Sequence, residues 1–260
     1  MKEPAIKVPE ACKEVLLHAC CAPCSSAIVE WLLQHDIRPT IFYYNPNIFP
    51  REEYEIRKNE SKRHAESLGL TWIDGDYDHA QWQQDVCGLE GEPERGRRCE
   101  LCFTLRLIAT AKKAQALGIP YFTTTLASSR WKNLEQINRA GFIAQESLKS
   151  ERNLSPQPSS LSLQQSYLSP LTSHLSPQPS PSSLSPQQIP EQSSPTRSLS
   201  YLSPLTSHLS PLKHTSHLLP LFWPQNWRKG GLYERRNQLL KEFNFYNQQY
   251  CGCEFSQRSK

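Results

Sequence analysis

Short apolar runs alternate with longer amphipathic segments between residues 13 and 148. The first run, at 15–19, reads Val-Leu-Leu-His-Ala, and further apolar or β-branched runs follow at 40–44, 70–73 and 121–126. Runs of this length are typical of buried strands, and their β-branched and aromatic residues favour that assignment. The pattern therefore predicts four strands in this part of the chain.

Segments with apolar positions at helical spacing separate these runs or follow the last of them. The predicted helices span 25–34, 51–68, 100–117 and 133–146. Strands connected by helices of this length predict an α/β fold in which helices flank a parallel sheet. Sites in such sheets lie beyond the carboxyl ends of the strands, and the first predicted strand ends at Cys20 and Cys21.

The alternating pattern stops between residues 149 and 221. Twelve of the 21 prolines lie in 153–220, and one twelve-residue segment occurs at 166–177 and again at 200–211. Frequent prolines exclude long helices, and Ser, Pro and Gln bury too little apolar surface to offset the entropy of ordering. We therefore expect 149–221 to be a disordered low-complexity insertion. A solenoid is the alternative, but the repeats are few and irregular.

Apolar patterning resumes at residue 222. A helix is predicted over 232–243, and a cysteine-bearing tail over 246–255. Because long surface insertions cost little closure entropy, we expect the two ends of the insertion to be close in space. The predicted organisation is an α/β metal-binding core at 13–148, the insertion at 149–221, and a segment at 222–256 that completes the core.

The composition says more about the cellular compartment of the protein than about its binding partner. The net charge is only +4, so charge alone does not establish a nucleic-acid partner. No segment approaches the about 20 apolar residues of a membrane helix, and the first residues have no signal-peptide character. We expect a cytoplasmic protein without a membrane partner. In that compartment, clustered cysteines are more often metal ligands or redox centres than structural disulfides.

Most of the nine cysteines fall in three groups, with Cys12 and Cys87 outside them. The groups are Cys20-Cys21 with Cys24, Cys99-x-x-Cys102, and Cys251-Gly252-Cys253. Four sulfurs from Cys20, Cys21, Cys99 and Cys102 match a cubane iron–sulfur cluster or a tetrahedral zinc. The second pair begins a predicted helix beside Arg97 and Arg98, where the dipole and the positive charge favour thiolates.

Two cysteine questions stay open from the residues alone. Cys24 is either a packed thiol or a ligand to a second metal. Cys251 and Cys253 are close enough to close a small, readily reduced ring, which indicates a dithiol/disulfide relay. The alternatives for that pair are a further set of metal ligands or two inert thiols.

Two motifs are absent from the chain. The loop after the first strand lacks Ser-Gly-Gly-x-Asp-Ser, so nothing indicates the phosphate loop of ATP-pyrophosphatases that thiolate tRNA. No G-x-G-x-x-G follows a strand, so there is no dinucleotide fingerprint. Electrons would have to arrive through a metal or a thiol.

Several motifs together resemble one family, the QueH epoxyqueuosine reductases. The resemblance covers about 13–148 and 222–256 but not the segment between them. The motifs that carry it are His18-Ala-Cys-Cys-Ala-Pro-Cys24, Tyr43-Tyr-Asn-Pro-Asn-Ile-Phe49, Glu94 through Arg98-Cys99-x-x-Cys102, Thr123-Thr-Thr-Leu-x-Ser128, Arg228-Lys-Gly-Gly231 and Tyr250-Cys-Gly-Cys-x-Phe-Ser256.

The resemblance implies a Rossmann-like fold of the HUP type and a cobalamin-independent oxidoreductase. Its substrate would be epoxyqueuosine at the wobble position of tRNA, its product queuosine, and its electron donor is unidentified. Cys20, Cys21, Cys99 and Cys102 would hold a [4Fe-4S] cluster. Cys251 and Cys253 would be the catalytic, redox-active disulfide pair. The family also implies an additional iron beside the cluster, for which Cys24 is the candidate ligand.

The basic runs and exposed aromatics would supply the tRNA contacts. We expect Arg97 and Arg98 to contact phosphate and Trp131 or Trp227 to stack on bases. Asp74 and Asp76, at a predicted strand end, are candidates for a catalytic acid or a ligand, the alternative being a plain polar turn.

Two other functions remain possible readings of the sequence. A non-catalytic, zinc-stabilised RNA-binding protein would use the same sulfurs for structure and would contain zinc without iron. An iron–sulfur enzyme that transfers sulfur to tRNA would depend on ATP, which the missing phosphate loop argues against.

Overall fold

A single parallel sheet organises the chain in the computed structural model, which describes residues 6–154 and 219–256. Its strands are β1 (Glu14–His18), β2 (Arg38–Tyr43), β3 (Trp72–Asp74), β4 (Tyr121–Thr124) and β5 (Leu221–Phe222). They lie in the order β3-β2-β1-β4-β5, and each neighbouring pair is parallel. The predicted α/β class with a parallel sheet flanked by helices is confirmed.

Helices connect the strands by right-handed crossovers, which place α1 and α2 on one face of the sheet and α4 and α5 on the other. The helices are α1 (Ala22–Gln34), α2 (Arg51–Ser67), α3 (His79–Asp85), α4 (Arg97–Leu117), α5 (Leu134–Leu154) and α6 (Leu232–Glu242), with 3₁₀ turns at Thr125–Ser128 and Glu254–Ser256. α4 packs mainly against α5, and α1 against α6. Within the described stretches, no helix is both long and apolar enough to cross a bilayer.

The central strand β1 is buried on both faces, as a parallel strand covered by two helix layers must be. Val15, Leu16 and Leu17 have no exposed surface. Full burial of such side chains stabilises the fold by roughly 1.5–3 kcal/mol each. The apolar run that predicted this strand is therefore also the centre of the main core.

His18 ties together the carboxyl ends of three strands. Its Nδ1 lies 2.8 Å from Thr124 Oγ1 at the end of β4, and its Nε2 lies 3.0 Å from the carbonyl oxygen of Tyr44 after β2. Burial lowers the pKa of His18 to about 3, so the ring is neutral near pH 7. The strand order reverses between β1 and β4, and this reversal is where open α/β sheets place their ligands.

The structure differs from the sequence-based expectations at several element boundaries. α3 and β5 were not predicted, because seven and two residues are too short to show a period. α5 continues to Leu154, past the expected boundary at 148. The segment 147–153 has good helix formers and no proline, which explains the extension. The remainder of the predicted insertion, 155–218, lies outside the described residues.

Replacement of Gly141 by alanine should destabilise the protein. A β-carbon at this position of α5 would overlap the ring of Phe222, which is buried against Phe122 and Phe142. Overpacking of this kind costs about 1–3 kcal/mol, of which the gain in helix propensity offsets roughly 1 kcal/mol. We expect a net loss of up to about 2 kcal/mol in the free energy of unfolding measured with urea. Gly91→Ala is the control, because a β-carbon there meets no atom within 4 Å.

His64 should make stability fall as the solution becomes acidic. Burial, assisted by Arg63, lowers the pKa of this imidazole, which lies edge-on to Phe243 and Phe245. Below the ordinary pKa of about 6.5, the unfolded chain binds a proton that the folded chain does not, so the unfolding free energy decreases as pH drops. His64→Gln should reduce the change in unfolding free energy, measured with urea, between about pH 7 and pH 5. Parallel curves for the two proteins would refute this assignment.

Candidate functional site

Three buried sulfurs lie together where β1 meets α1. Cys20 and Cys21 follow the strand, and Cys24 lies in the first turn of the helix. The Sγ atoms of the three residues lie within 4.8 Å of one another. Cys21 is the N-cap of α1, so this sulfur trio lies at a helix N-terminus, where free N–H groups and the dipole favour negative charge.

The end of β4 contributes a hydroxyl to the trio. The backbone N–H of Cys20 donates to Thr125 Oγ1 at 3.1 Å, and the Thr125 hydroxyl donates to Cys20 Sγ at 3.4 Å. This threonine lies against the sulfurs where the strand order reverses between β1 and β4. Open α/β sheets place their sites at such a reversal.

The trio can hold one thiolate easily but not three. Hydrogen bonds from the Cys21 and Cys24 thiols hold the pKa of Cys20 well below its usual value. Burial raises the pKa of Cys21 well above the usual value, and the contact with Cys20 raises the pKa of Cys24. Full deprotonation therefore requires additional positive charge, which a soft metal ion supplies when it binds thiolates.

Cys99 and Cys102 occupy the first turns of α4, as the sequence predicts, because Gly96 ends the preceding turn and caps the helix. Burial raises the pKa of both thiols. In the part of the chain that the structure describes, the close sulfur group contains neither of them. The four-ligand set of Cys20, Cys21, Cys99 and Cys102 therefore stays a prediction.

Arg106 connects α4 to the carboxyl ends of β1 and β2. Its buried guanidinium donates to Asn45 Oδ1, and Asn45 Nδ2 donates to the carbonyl oxygen of Ala19 at 2.9 Å. The charge of Arg106 also favours the thiolate of Cys102, one turn earlier in the helix, although burial opposes it more strongly. These contacts fix the start of α4 next to the loop that carries Cys20.

The Cys-Gly-Cys segment docks on the chain that leads into α2. Cys253 forms an isolated antiparallel bridge with Ile48, and the N–H of Phe49 donates to the carbonyl oxygen of Gly252 at 2.9 Å. The guanidinium of Arg57 donates to the carbonyl oxygens of Tyr250 and Cys251 at 3.2 and 3.3 Å. These contacts place the last two cysteines of the chain against its first half.

Arg57 itself is held by Glu53, one turn earlier in α2. Their closest charged atoms are 2.6 Å apart, and both side chains are buried. The Glu53 carboxylate also accepts a hydrogen bond from the Tyr246 hydroxyl at 2.8 Å. Buried ion pairs of this kind fix geometry well, because loss of one partner leaves an uncompensated buried charge.

Both cysteines of the tail are free thiols, but they differ in exposure. Cys251 is half-buried, whereas Cys253 is 6% exposed, and burial raises the pKa of Cys253 to about 12. Cys251 faces two of the other groups. It lines a small gap together with Cys99 and a larger cavity together with Cys24.

Lys132 supplies a cation that acts on sulfurs of two groups. Burial alone would lower the pKa of its ammonium, but the negative charge of Cys251, Cys20 and Cys24 raises it. The lysine lines both the gap and the larger cavity. It follows β4 at the reversal of strand order and lies between the sulfur trio and the tail.

Two of the residues expected to contact tRNA, Trp227 and Arg98, are buried. Trp227 is 1% exposed and packs against Trp31 and Trp223, so the expectation that it stacks on bases was wrong, whereas Trp131 is 41% exposed. Arg98 is also buried, and its guanidinium donates to three carbonyl oxygens of the preceding turn. This arginine stabilises the turn before Cys99 and does not contact phosphate.

The acidic pair lies away from the sulfurs. Asp74 pairs with Lys58 at 3.4 Å, and Asp74 and Asp76 line a separate cavity with Lys112 and Lys113. Asp74 ends β3 and Asp76 follows it, two strands from the strand that leads to the sulfur trio. The candidate role of these carboxylates as acid or ligand at the sulfur site is therefore not supported by their position.

Four positioning residues were missed from the sequence: Asn45, Arg57, Arg106 and Lys132. Glu53 and Arg57 are four residues apart in a predicted helix, which is a signal for an ion pair but not for its burial. Asn45 lies in a turn signal, Asn-Pro-Asn. Arg106 and Lys132 carry no local signal, since their partners are distant in sequence.

Comparisons with known proteins identify the family of this chain. A family profile described as Epoxyqueuosine reductase QueH matches residues 15–155 and 193–259. Curated proteins called Epoxyqueuosine reductase QueH are 33% identical in Histophilus somni, covering 98% of this chain and 76% of the relative, and 34% identical in Acinetobacter baylyi, covering 99% and 88%. A third, from Thermotoga maritima, is 26% identical, covering 93% and 89%. The chain therefore belongs to the QueH family of epoxyqueuosine reductases and is an oxidoreductase.

Proposed function

We propose that this enzyme reduces epoxyqueuosine to queuosine at the wobble position of tRNA, the last step of queuosine synthesis. In this proposal, sulfur-bound iron and the Cys251–Cys253 dithiol carry the electrons. The observation that carries it is the position of Cys251, which lines one cavity with Cys24 and a gap with Cys99. A dithiol placed between two other sulfur groups suits electron transfer better than a purely structural metal site.

The candidate sulfur ligands fit a soft metal ion or an iron–sulfur cluster. The trio is buried and its sulfurs are close, yet two of its thiols resist deprotonation without added positive charge. Cys20, Cys21, Cys99 and Cys102 would hold a [4Fe-4S] cluster, and Cys24 an additional iron. When bound, the cluster supplies single electrons and an iron with an open position supplies a Lewis acid.

The dithiol matches the electron count of the reaction. Conversion of an epoxide into an alkene breaks two C–O bonds, consumes two electrons and two protons, and releases water. Oxidation of Cys251 and Cys253 to a disulfide releases two electrons and two protons, so one dithiol supplies one turnover. An external donor, whose identity stays open, must then restore the two thiols.

Docking by Arg57 and Ile48 fixes the tail with Cys251 at the cavity. Arg57 donates to the carbonyl oxygens of Tyr250 and Cys251, and the bridge to Ile48 fixes Cys253. Gly252 allows the close approach, because its φ of +103° is in a region that glycine adopts readily.

Deletion of the gene should leave epoxyqueuosine in tRNA. Nucleoside mass spectrometry should show queuosine restored by the intact gene and by Cys87→Ser, an exposed thiol outside the three groups. Cys251→Ser should not restore it, since one thiol cannot supply two electrons by forming a disulfide within the tail. Full complementation by Cys251→Ser would overturn the role of the dithiol.

A metal assay on anaerobically purified protein accompanies this test. We expect iron and sulfide with visible absorption. Zinc without iron in a colourless protein would instead favour the zinc-stabilised RNA-binding alternative.

Gly252→Ala should release the tail without unfolding the sheet. A β-carbon there would meet Arg57 Nη1 and Ile48 Cγ1, both at 2.9 Å, and would also suffer from the positive φ. We expect faster alkylation of Cys251 and Cys253 and a loss of turnover on the order of tenfold or more, which corresponds to about 1.4 kcal/mol in the barrier. Gly69→Ala is the matched control, with a positive φ but no neighbour within 4 Å. Equal alkylation rates in the two variants would refute the docking argument.

A further inference from the structure

A cavity of about 250 Å³ opens beside the sulfur groups. Its walls come from the loop after the Thr125–Ser128 turn, from α6, and from the tail that precedes Cys251. Cys24 and Cys251 both line it, so a molecule in the cavity touches two of the three cysteine groups. The established family membership does not say which residues of this cavity recognise a ligand.

The charges around the cavity indicate an anionic ligand. Arg130, Lys132 and Arg236 line it, and none of its described lining residues is Asp or Glu. The cavity at Asp74 and the groove at Glu30 and Glu242, by contrast, mix both signs. Clustered cations without carboxylates are typical of phosphate sites.

Arg236 is the cation best placed for such a role. It lines the cavity together with Cys24, so it lies in the part of the molecule that also holds the sulfurs. Among the described residues it has no ion pair, and its recorded hydrogen bond goes to the side chain of Asn237 at 3.0 Å. The adjacent Arg235 is different, because Glu30 holds its guanidinium at 2.8 Å.

An aromatic surface accompanies these cations. Trp131 lines the cavity and is 41% exposed, and Arg95 donates to the carbonyl oxygens of Trp131 and Arg130 at 2.9 and 3.2 Å. The loop is therefore held in place before any ligand arrives.

We propose that this cavity binds one unpaired nucleotide of an RNA loop, with the base on Trp131 and a phosphate on Arg236. The proposal rests on the proposed function for the identity of that nucleotide. Enzymes that act on a base take it out of the stack, and unpaired RNA bases are recognised by stacking on aromatic side chains. A base bound here would lie next to Cys24 and Cys251.

Equilibrium binding of the full-length, anaerobically purified protein tests this subsite. The probes are an RNA hairpin with unpaired loop nucleotides and the same sequence closed as a duplex. We expect the hairpin to bind more tightly. Trp131→Ala should weaken hairpin binding by roughly 5- to 150-fold, the range for loss of one base–aromatic stack, and Trp131→Phe should retain most of the affinity.

Arg236→Ala should weaken hairpin binding about tenfold and reduce the slope of log affinity against log salt by about 1, as loss of one phosphate contact predicts. Arg236→Lys should restore the salt slope. Arg235→Ala is the matched control and should stay within about twofold of the unmodified protein, because its guanidinium is paired with Glu30. Thermal unfolding and iron content of each variant report whether the fold is intact.

The outcomes separate the two proposals. Unchanged hairpin affinity in folded Trp131→Ala and Arg236→Ala overturns the subsite, even if the enzyme reduces epoxyqueuosine in tRNA. Weakened binding in both variants supports the subsite even if no reductase activity is found, in which case the proposed function fails alone. Equal losses in Arg235→Ala and Arg236→Ala also overturn it, because a general surface charge would then explain the data.

Discussion

Pairing of β1 between β2 and β4 is the interaction on which the rest of the structure depends. The three strands end at the same edge, where His18 contacts Thr124 and the carbonyl oxygen of Tyr44. Everything placed beyond that edge, including Cys20, Asn45 and Thr125, takes its position from the register of these strands. A neutral, buried His18 suits this role because it satisfies a hydroxyl and a carbonyl without bringing charge into the core.

Electrostatics decides what can occupy the site beyond this edge. Buried sulfurs repel one another as soon as more than one is ionised, so the chain surrounds them with fixed positive charge from the α1 N-terminus, Lys132 and Arg106. The same positive field extends into the cavity lined by Arg236. In the proposed subsite, this positive charge would stabilise both the thiolates and the phosphates of a bound nucleotide.

The sequence predicted those parts of the fold whose cause is local. The run at 15–17 predicts β1, and the predicted helix end at 117 agrees with the left-handed conformation of Gly118 at the end of α4. The cysteine groups were recognisable because sulfur chemistry needs few residues at short spacing. α3 and β5 escaped prediction, since such short elements form through tertiary contacts. Trp227 and Arg98 are of residue types that often contact nucleic acids. Their burial depends on packing partners that cannot be identified from the neighbouring sequence.

The unequal burial of the two tail sulfurs would determine which of them an external reducing thiol attacks. An incoming thiol reaches the half-buried Cys251, while Cys253 is shielded by Trp82 and Val86 in a small apolar cluster. Exchange reactions proceed through a mixed disulfide on whichever sulfur is accessible. If the pair forms the proposed disulfide, an external thiol would therefore bond transiently to Cys251 and the buried sulfur of Cys253 would be released as the thiolate.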